Sequence, residues 1–235
     1  MNYRDFLQKV IYVLINPIIK AMIKIGITPN IVTFIGFIGN MIAAAFFVDA
    51  AWTLRYVELY SNPIIDEYNP FVYQDCMTEI GWGGFIILAA GLFDMMDGRL
   101  ARMSDKSSNF GALWDSTLDR CSELVSLFGI CLVFIRLDGD KWMWMSLVTF
   151  IAMMSSLMVS YIRARVEGLG FECKVGLMQR PERVVVTAVT AMLTGITDEI
   201  WWLAGGMILI AALAGFTAIW RLAYSYEEMN EENYL

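Results

Sequence analysis

The sequence predicts an all-α integral membrane protein in which six transmembrane helices follow an N-terminal interfacial amphipathic helix. Two features of the composition predict this class: 58% of the 235 residues are hydrophobic and only 17% are charged. Soluble domains average roughly 45–50% apolar and about 25% charged residues. The third observation is that the apolar residues form six runs, and a membrane-spanning helix needs roughly 20 such residues.

The six apolar runs define the expected order of the elements. We expect spans at residues 30–52, 82–100, 110–135, 142–162, 181–196 and 201–223, of which the fifth is the shortest. The length suits a single domain covering 1–235. Within it we expect an interfacial helix at 1–27, a six-helix bundle at 28–224 and an acidic tail at 225–235.

The N-terminal segment differs from the spans because its charges are spread along it. Arg4, Lys9, Lys20 and Lys24 alternate with apolar residues, which is typical of a helix lying on the membrane surface. Pro17 is expected to break this helix, because proline lacks the backbone N–H and clashes with the preceding turn.

The distribution of Lys and Arg predicts the orientation, since cytoplasmic loops carry an excess of both. With the N-terminus inside, only Arg55, Arg136 and Lys141 of the 17 basic residues lie outside. We therefore expect a multi-pass protein of the inner (cytoplasmic) membrane with both termini in the cytoplasm.

The composition also excludes several kinds of site. The chain has no histidine, so a Ser-His-Asp relay and a His-ligated zinc are both excluded. The net charge of −7 argues against nucleic acid as a partner.

The unusual charges are four aspartates at the facing ends of the second and third spans. Asp94 and Asp97 are three residues apart, and Asp115 and Asp119 are four apart, so each pair projects from one helix face. A short cytoplasmic turn at 104–109 would join the two helices, and antiparallel packing would then bring the four carboxylates together.

Four carboxylates at one place need cations. Arg102 and Arg120 could neutralise part of the charge, which is the purely structural alternative. A hard divalent ion, Mg²⁺ or Mn²⁺, is the better partner for oxygens on rigid helices. Two such ions roughly 3.5–4 Å apart can hold a diphosphate during phosphoryl transfer.

The same stretch resembles the CDP-alcohol phosphotransferase family. It fits the pattern DxxDGxxARx₈GxxxDxxxD at every fixed position: Asp94, Asp97, Gly98, Ala101, Arg102, Gly111, Asp115 and Asp119. The resemblance implies an enzyme that transfers a phospho-alcohol group from a CDP-diacylglycerol-like lipid to a second alcohol and releases CMP. It also implies a homodimer in the lipid bilayer, with two Mg²⁺ or Mn²⁺ ions in each cytoplasm-facing active site.

The resemblance also suggests a role for each residue of the motif. Asp94, Asp97 and Asp115 would bind the metals, and Asp119 would lie beside them and accept the proton of the attacking hydroxyl. The residues implied to contact the CDP-lipid are Asn30, Thr33, Gly98, Ala101, Arg102 and Ser108. Ser108 could equally be the N-cap of the third span, and Thr28 with Pro29 is a typical helix start.

A cationic stretch between the fourth and fifth spans indicates the acceptor. Its basic residues are Arg163, Arg165, Lys174, Arg180 and Arg183. Paired guanidinium groups at helix ends match a phosphate, and Pro181 would aim the start of the fifth span at the same anion. The stretch resembles the RARxE…ERPER element of the phosphatidylinositol-phosphate and archaetidylinositol-phosphate synthase branch, which implies a phosphorylated polyol, inositol phosphate, as acceptor.

Two other interpretations remain open at this stage. The acceptor could be another alcohol, such as glycerol 3-phosphate or serine. From a different class, a cation or proton transporter would also place carboxylates in a helix bundle. A transporter would be expected to carry them near mid-span and to show inverted repeats, whereas these acids lie at one membrane face.

Overall fold

A computed structural model of the chain describes residues 3–60 and 70–232. Over these residues the regular secondary structure is entirely helical, without a strand. The seven helices are α1 (Tyr3–Ile25), α2 (Pro29–Tyr60), α3 (Pro70–Met103), α4 (Asn109–Arg136), α5 (Asp140–Glu167), α6 (Arg180–Thr197) and α7 (Trp201–Glu232).

Four of the helices are long and apolar enough to cross a membrane: Pro29–Leu54, Val72–Met103, Asp140–Glu167 and Trp201–Asn230. The remaining two predicted spans correspond to α4 and α6. The helix α4 carries Asp115, Asp119, Arg120 and Glu123 within its first fifteen residues, and α6 has only 18 residues. The chain is therefore a helical membrane protein, and the count of six spans stays a prediction.

The expectation that Pro17 breaks the N-terminal helix is wrong. The helix α1 runs without interruption from Tyr3 to Ile25 with Pro17 inside it. Packing on both sides of the proline explains this, because Ile15 and Ile19 are buried against Met96 and Leu100 of α3. Pro17 itself is exposed, and tertiary contacts of this kind can outweigh a local helix breaker.

Several helices extend beyond the predicted apolar runs. The helix α2 continues eight residues past position 52, α3 begins twelve residues before position 82, and α7 continues to Glu232 through most of the predicted tail. The runs were identified by hydropathy, which marks the apolar part of a helix. The polar turns outside it keep the helical hydrogen bonds that the sequence pattern does not reveal.

The packing of α3 against α2 and α6 brings the site together. The helix α2 packs along α3 and α4, α3 packs along α6, and α5 packs along α7. Backbones approach closely at Gly84, where an added Cβ would lie 2.6 Å from the carbonyl oxygen of Ala188. Small residues permit such contacts between membrane helices. The contact between Gly84 and Ala188 holds α6 close to α3, so that the start of α6 lies beside the aspartates of α3.

Candidate active site

The connection between α3 and α4 forms as the sequence predicted. The helix α3 ends at Met103 and α4 begins at Asn109. Ser108 is the N-cap of α4, since its Oγ accepts a hydrogen bond of 3.0 Å from the backbone N–H of Gly111. The helix start at Thr28 and Pro29 is also confirmed, because α2 begins at Pro29 and the Thr28 carbonyl accepts from Ile31.

A first cavity of about 590 Å³ lies between the starts of α2 and α4 and the end of α3. Its lining includes five of the six residues predicted to contact a CDP-lipid: Asn30, Thr33, Gly98, Ala101 and Ser108. Asp97, Asp115 and Lys106 lie on the same wall. Arg102, the sixth, does not line the cavity, and its Nη2 donates to the Tyr12 hydroxyl at 3.0 Å.

Two glycines of the motif differ in what surrounds them. An added Cβ at Gly111 would lie 3.0 Å from Ser108 Oγ and 3.2 Å from Asn30 Oδ1, so the protein itself leaves little room there. At Gly98 the nearest atom would be Arg102 Nη2 at 4.0 Å. Packing inside the protein therefore does not require glycine at position 98, although glycine weakens a helix interior. The free space at Gly98 belongs to the first cavity.

Arg180 at the start of α6 links two of the four aspartates. Its Nη2 lies 2.8 Å from Asp94 Oδ2 and 2.7 Å from Asp119 Oδ1. The cation that bridges α3 and α4 thus comes from α6. Neither arginine of the structural alternative has this role, since Arg102 bonds to Tyr12 and Arg120 donates to the carbonyl of Ser116.

The four carboxylates do not form a ready-made metal site in this structure. Among the described residues, no three acidic or cysteine side chains are arranged to hold a metal ion. The bridge formed by Arg180 explains this, because it draws Asp94 and Asp119 towards a guanidinium.

The donor set nevertheless fits a hard divalent cation. Asp97 Oδ2 is buried without a hydrogen-bond partner, which is costly for a carboxylate oxygen. Arg180 also pairs with only two of the four carboxylates, so negative charge remains in excess at the site. Oxygen ligands of this kind are the ones that Mg²⁺ and Mn²⁺ prefer.

A second cavity of about 950 Å³ lies on the other side of the aspartates, between α4, α5, α6 and α7. Asp115 lines both cavities, and Asp119 lines the second. Of the five residues predicted to bind the acceptor phosphate, Arg163 and Arg180 line it. Acidic and basic groups thus face each other across one open space.

The other three predicted acceptor residues do not line this cavity. Arg183 is 1% exposed, and it is held by Glu123 at 2.5 and 2.9 Å and by the Met178 carbonyl. Lys174 pairs with Glu172 on the surface at 2.7 Å, and Arg165 is exposed. Arg183 therefore serves to anchor α6 to α4 in this structure.

Sequence reasoning missed Arg221 as a site residue. It lines the second cavity and is 2% exposed, and its guanidinium donates to the carbonyls of Val159 at 2.6 Å and Val175 at 2.8 Å. A signal was present, because Arg221 is the one charged residue within the sixth apolar run. Charged groups in such a run are costly and are typical of functional sites.

Comparison with known proteins agrees with the fold and with the motif. The family model for CDP-alcohol phosphatidyltransferase matches residues 26–220. The archaetidylinositol phosphate synthase of Methanothermobacter thermautotrophicus is 37% identical over 147 residues, which cover 63% of this chain and 71% of that protein. The same-named enzyme of Pyrococcus horikoshii is 33% identical over 205 residues, 86% of each chain.

Solved structures give the same result. A crystal structure of Mycobacterium tuberculosis phosphatidylinositol phosphate synthase with CDP-DAG bound matches with a TM-score of 0.68 and 26% identity, covering 89% of this chain and 92% of that one. A structure of the same protein in complex with manganese and citrate matches with a TM-score of 0.69 and 26% identity, over 89% and 88% of the two chains.

These matches extend over nearly all of the helical bundle, and the family model includes the ends of α3 and α4 that carry the four aspartates. They identify a transferase and not a transporter. The chain belongs to the CDP-alcohol phosphatidyltransferase family.

Proposed function

We propose that this protein transfers the phosphatidyl group of a CDP-diacylglycerol-like lipid to inositol phosphate, producing phosphatidylinositol phosphate and CMP. The observation that carries the proposal is that Asp115 lies on the shared border of two cavities. The first has the residues expected for a nucleotide, and the second is lined by four arginines (Arg120, Arg163, Arg180 and Arg221) beside three acidic residues. A donor and a phosphorylated acceptor can therefore meet at the aspartates.

The donor would lie in the first cavity. Asn30 and Thr33 at the start of α2 would contact the cytidine, and Gly98 and Ala101 would allow the diphosphate to approach the backbone of α3. Ser108 keeps its role as N-cap, and its position on the cavity wall also supports the predicted nucleotide contact.

The aspartates would hold the metal. Asp94, Asp97, Asp115 and Asp119 would together bind two Mg²⁺ or Mn²⁺ ions, which when bound neutralise the diphosphate and stabilise the charge that develops on it. Since Arg180 occupies Asp94 and Asp119 in the present structure, metal binding requires this guanidinium to give up at least one of them.

The Arg180 guanidinium, once displaced from an aspartate, would turn into the second cavity. Arg180 already lines the second cavity together with Arg163 and Arg221. These three cations would hold the phosphate of the acceptor, since guanidinium groups bind phosphate oxygens bidentately. An unphosphorylated acceptor such as inositol would bring no phosphate to these guanidinium groups, and Arg163 would keep only its pair with Glu167 at 2.8 Å.

Asp119 would accept the proton of the acceptor hydroxyl. It lines the second cavity beside Arg180, with its side chain 14% exposed. The acceptor hydroxyl oxygen would form a bond to the lipid-bearing phosphorus, the bond from this phosphorus to the CMP oxygen would break, and the hydroxyl proton would pass to Asp119. Positioning supplies most of the catalysis in such phosphoryl transfers, so a weak base suffices.

We further propose that the protein works as a homodimer in the inner membrane, with six spans and both termini in the cytoplasm. The excess of Lys and Arg on the predicted inner side supports this orientation. It places the aspartates and both cavities at the cytoplasmic face, where a soluble sugar phosphate is available.

Transfer of radiolabel from CDP-diacylglycerol to inositol phosphate, glycerol 3-phosphate, inositol and serine tests the acceptor. We expect labelled lipid product with inositol phosphate. Activity with glycerol 3-phosphate alone, or only with the unphosphorylated alcohols, would refute the assignment. As a control on chemistry, Asp119→Asn should release no CMP while it still binds Mn²⁺, though more weakly than the wild type.

A further inference from the structure

The N-terminal helix contacts two arginines beside the aspartate motif. Arg102 Nη2 donates to the Tyr12 hydroxyl at 3.0 Å, and Arg99 Nε donates to Asn16 Oδ1 at 3.3 Å. The Arg99 guanidinium also lies over the Tyr12 ring, 4.6 Å from its centroid. Tyr12 and Asn16 are four residues apart on α1, so both lie on one face of it.

Next to these polar contacts, α1 and α3 also pack together through buried apolar side chains. One turn further along α1, Ile15 and Ile19 are buried with Met96 and Leu100 of α3 in a small cluster of their own. The cluster fixes where α1 crosses the end of α3. The Tyr12 hydroxyl is therefore held at a defined place relative to the motif.

The hydrogen bond to Tyr12 fixes Arg102 beside the first cavity. The same Nη2 atom lies 4.0 Å from the point where a Cβ on Gly98 would be. Gly98 lines the cavity, and Arg102 follows it by four residues on the same face of α3. Arg102 is otherwise an exposed, long side chain that would sample many rotamers.

We propose that Tyr12 is a positioning residue for the nucleotide-binding arginine of the motif. Its hydroxyl holds the Arg102 guanidinium along the Gly98 face, where it can reach the phosphate of the CMP part of the donor. Asn16 contributes indirectly by keeping Arg99 over the Tyr12 ring. This inference rests on the proposed function, because it needs a nucleotide diphosphate in the first cavity. It makes the membrane-surface helix a part of donor recognition.

Tyr12→Phe tests the proposal, because it removes the hydroxyl and keeps the ring under Arg99. One hydrogen bond to an exposed charged group corresponds to roughly a two- to tenfold change in an equilibrium constant. We expect the full-length variant to bind CMP two- to tenfold more weakly in the presence of Mg²⁺, as measured by calorimetry. The KM for CDP-diacylglycerol should rise by a similar factor, with kcat close to wild type at saturating lipid.

Three further variants separate positioning from general damage to the fold. Tyr226→Phe, an exposed tyrosine on α7, should bind CMP as wild type does. Asn16→Ala should weaken binding less than Tyr12→Phe. In an Arg102→Ala background, Tyr12→Phe should cause no additional loss, since the group that it positions is gone.

The possible results are distinct. Unchanged or tighter CMP binding by Tyr12→Phe, together with clear loss in Arg102→Ala, would overturn the positioning role and leave the proposed function intact. An equal loss from Tyr12→Phe in the wild-type and Arg102→Ala backgrounds would also overturn it. If the wild-type protein binds no CMP and forms no lipid product, the proposed function itself fails, and this inference fails with it.

Discussion

Gly98→Ala is the change for which the structure predicts opposite effects on stability and on function. Gly98 lies inside α3, and an added methyl would meet no protein atom closer than Arg102 Nη2 at 4.0 Å. That distance is ordinary van der Waals contact. The new methyl would instead occupy space in the first cavity, where we place the donor diphosphate.

The expected change in stability and the expected change in donor affinity can be estimated separately. Replacing glycine by alanine in a helix interior stabilises the protein by roughly 0.5–1 kcal/mol, which for a chain of this size raises Tm by about 2–4 °C at most. An extra methyl in a packed interface costs roughly 1–3 kcal/mol. If the donor packs against Gly98, its affinity should fall by about five- to 150-fold.

The assay compares Gly98→Ala with Gly205→Ala, measuring Tm in detergent and the KM for CDP-diacylglycerol. Gly205 lies inside α7, and a Cβ added there would also meet nothing within 4 Å. Both variants should be at least as stable as wild type, and only Gly98→Ala should lose donor affinity. A Gly98→Ala variant with wild-type KM, or one with lowered Tm, would refute the reasoning.

Three further changes test the other parts of the site. Arg183→Leu should lower the free energy of unfolding by about 3–5 kcal/mol, because Glu123 is left buried and unpaired. Glu172→Gln, which breaks the exposed pair with Lys174, should leave thermal unfolding close to that of the wild type; equal effects of the two variants on thermal unfolding would contradict this. Arg180→Gln should tighten Mn²⁺ binding severalfold in titration calorimetry, since a competing cation is removed, and weaker binding would show that the two do not compete. Chelation with EDTA should abolish CMP release, and added Mg²⁺ or Mn²⁺ should restore it; release that persists in EDTA would remove the metal from the proposal.

Local sequence rules predicted those parts of the site that lie close together in the chain. The aspartates of α3 and α4 and the N-cap Ser108 follow from spacing and from the residues of one short turn. The turn length alone then forces the two helix ends together, so the first cavity could be anticipated. Fold class followed in the same way, because apolar runs of about 20 residues are a strong local signal.

The cationic side of the site could not be predicted to the same depth. Arg180 and Arg183 are three residues apart, and the sequence offered no reason to separate them. The rotation of α6 against α3 and α4 directs Arg180 to Asp94 and Asp119, and Arg183 to Glu123. The rotation of α6 is set by its tertiary packing against the neighbouring helices, and the sequence pattern alone does not reveal that packing.

The same limit applies to the N-terminal helix. The rule that proline breaks a helix considers only the local turn. It failed at Pro17 because residues on both sides of the proline pack against α3, which is distant in the sequence. The bond between Tyr12 and Arg102 spans 90 residues of sequence. Neither could be anticipated without knowing where α1 lies on α3.

The most direct test of the central claim is the anomalous diffraction of a crystal grown with Mn²⁺ and CDP-diacylglycerol. We predict Mn²⁺ peaks within coordination distance of Asp94, Asp97, Asp115 and Asp119, the diphosphate beside them in the first cavity, and Arg180 withdrawn into the second. Density that leaves Arg180 between Asp94 and Asp119, with the lipid bound and no Mn²⁺ at the aspartates, would contradict the claim.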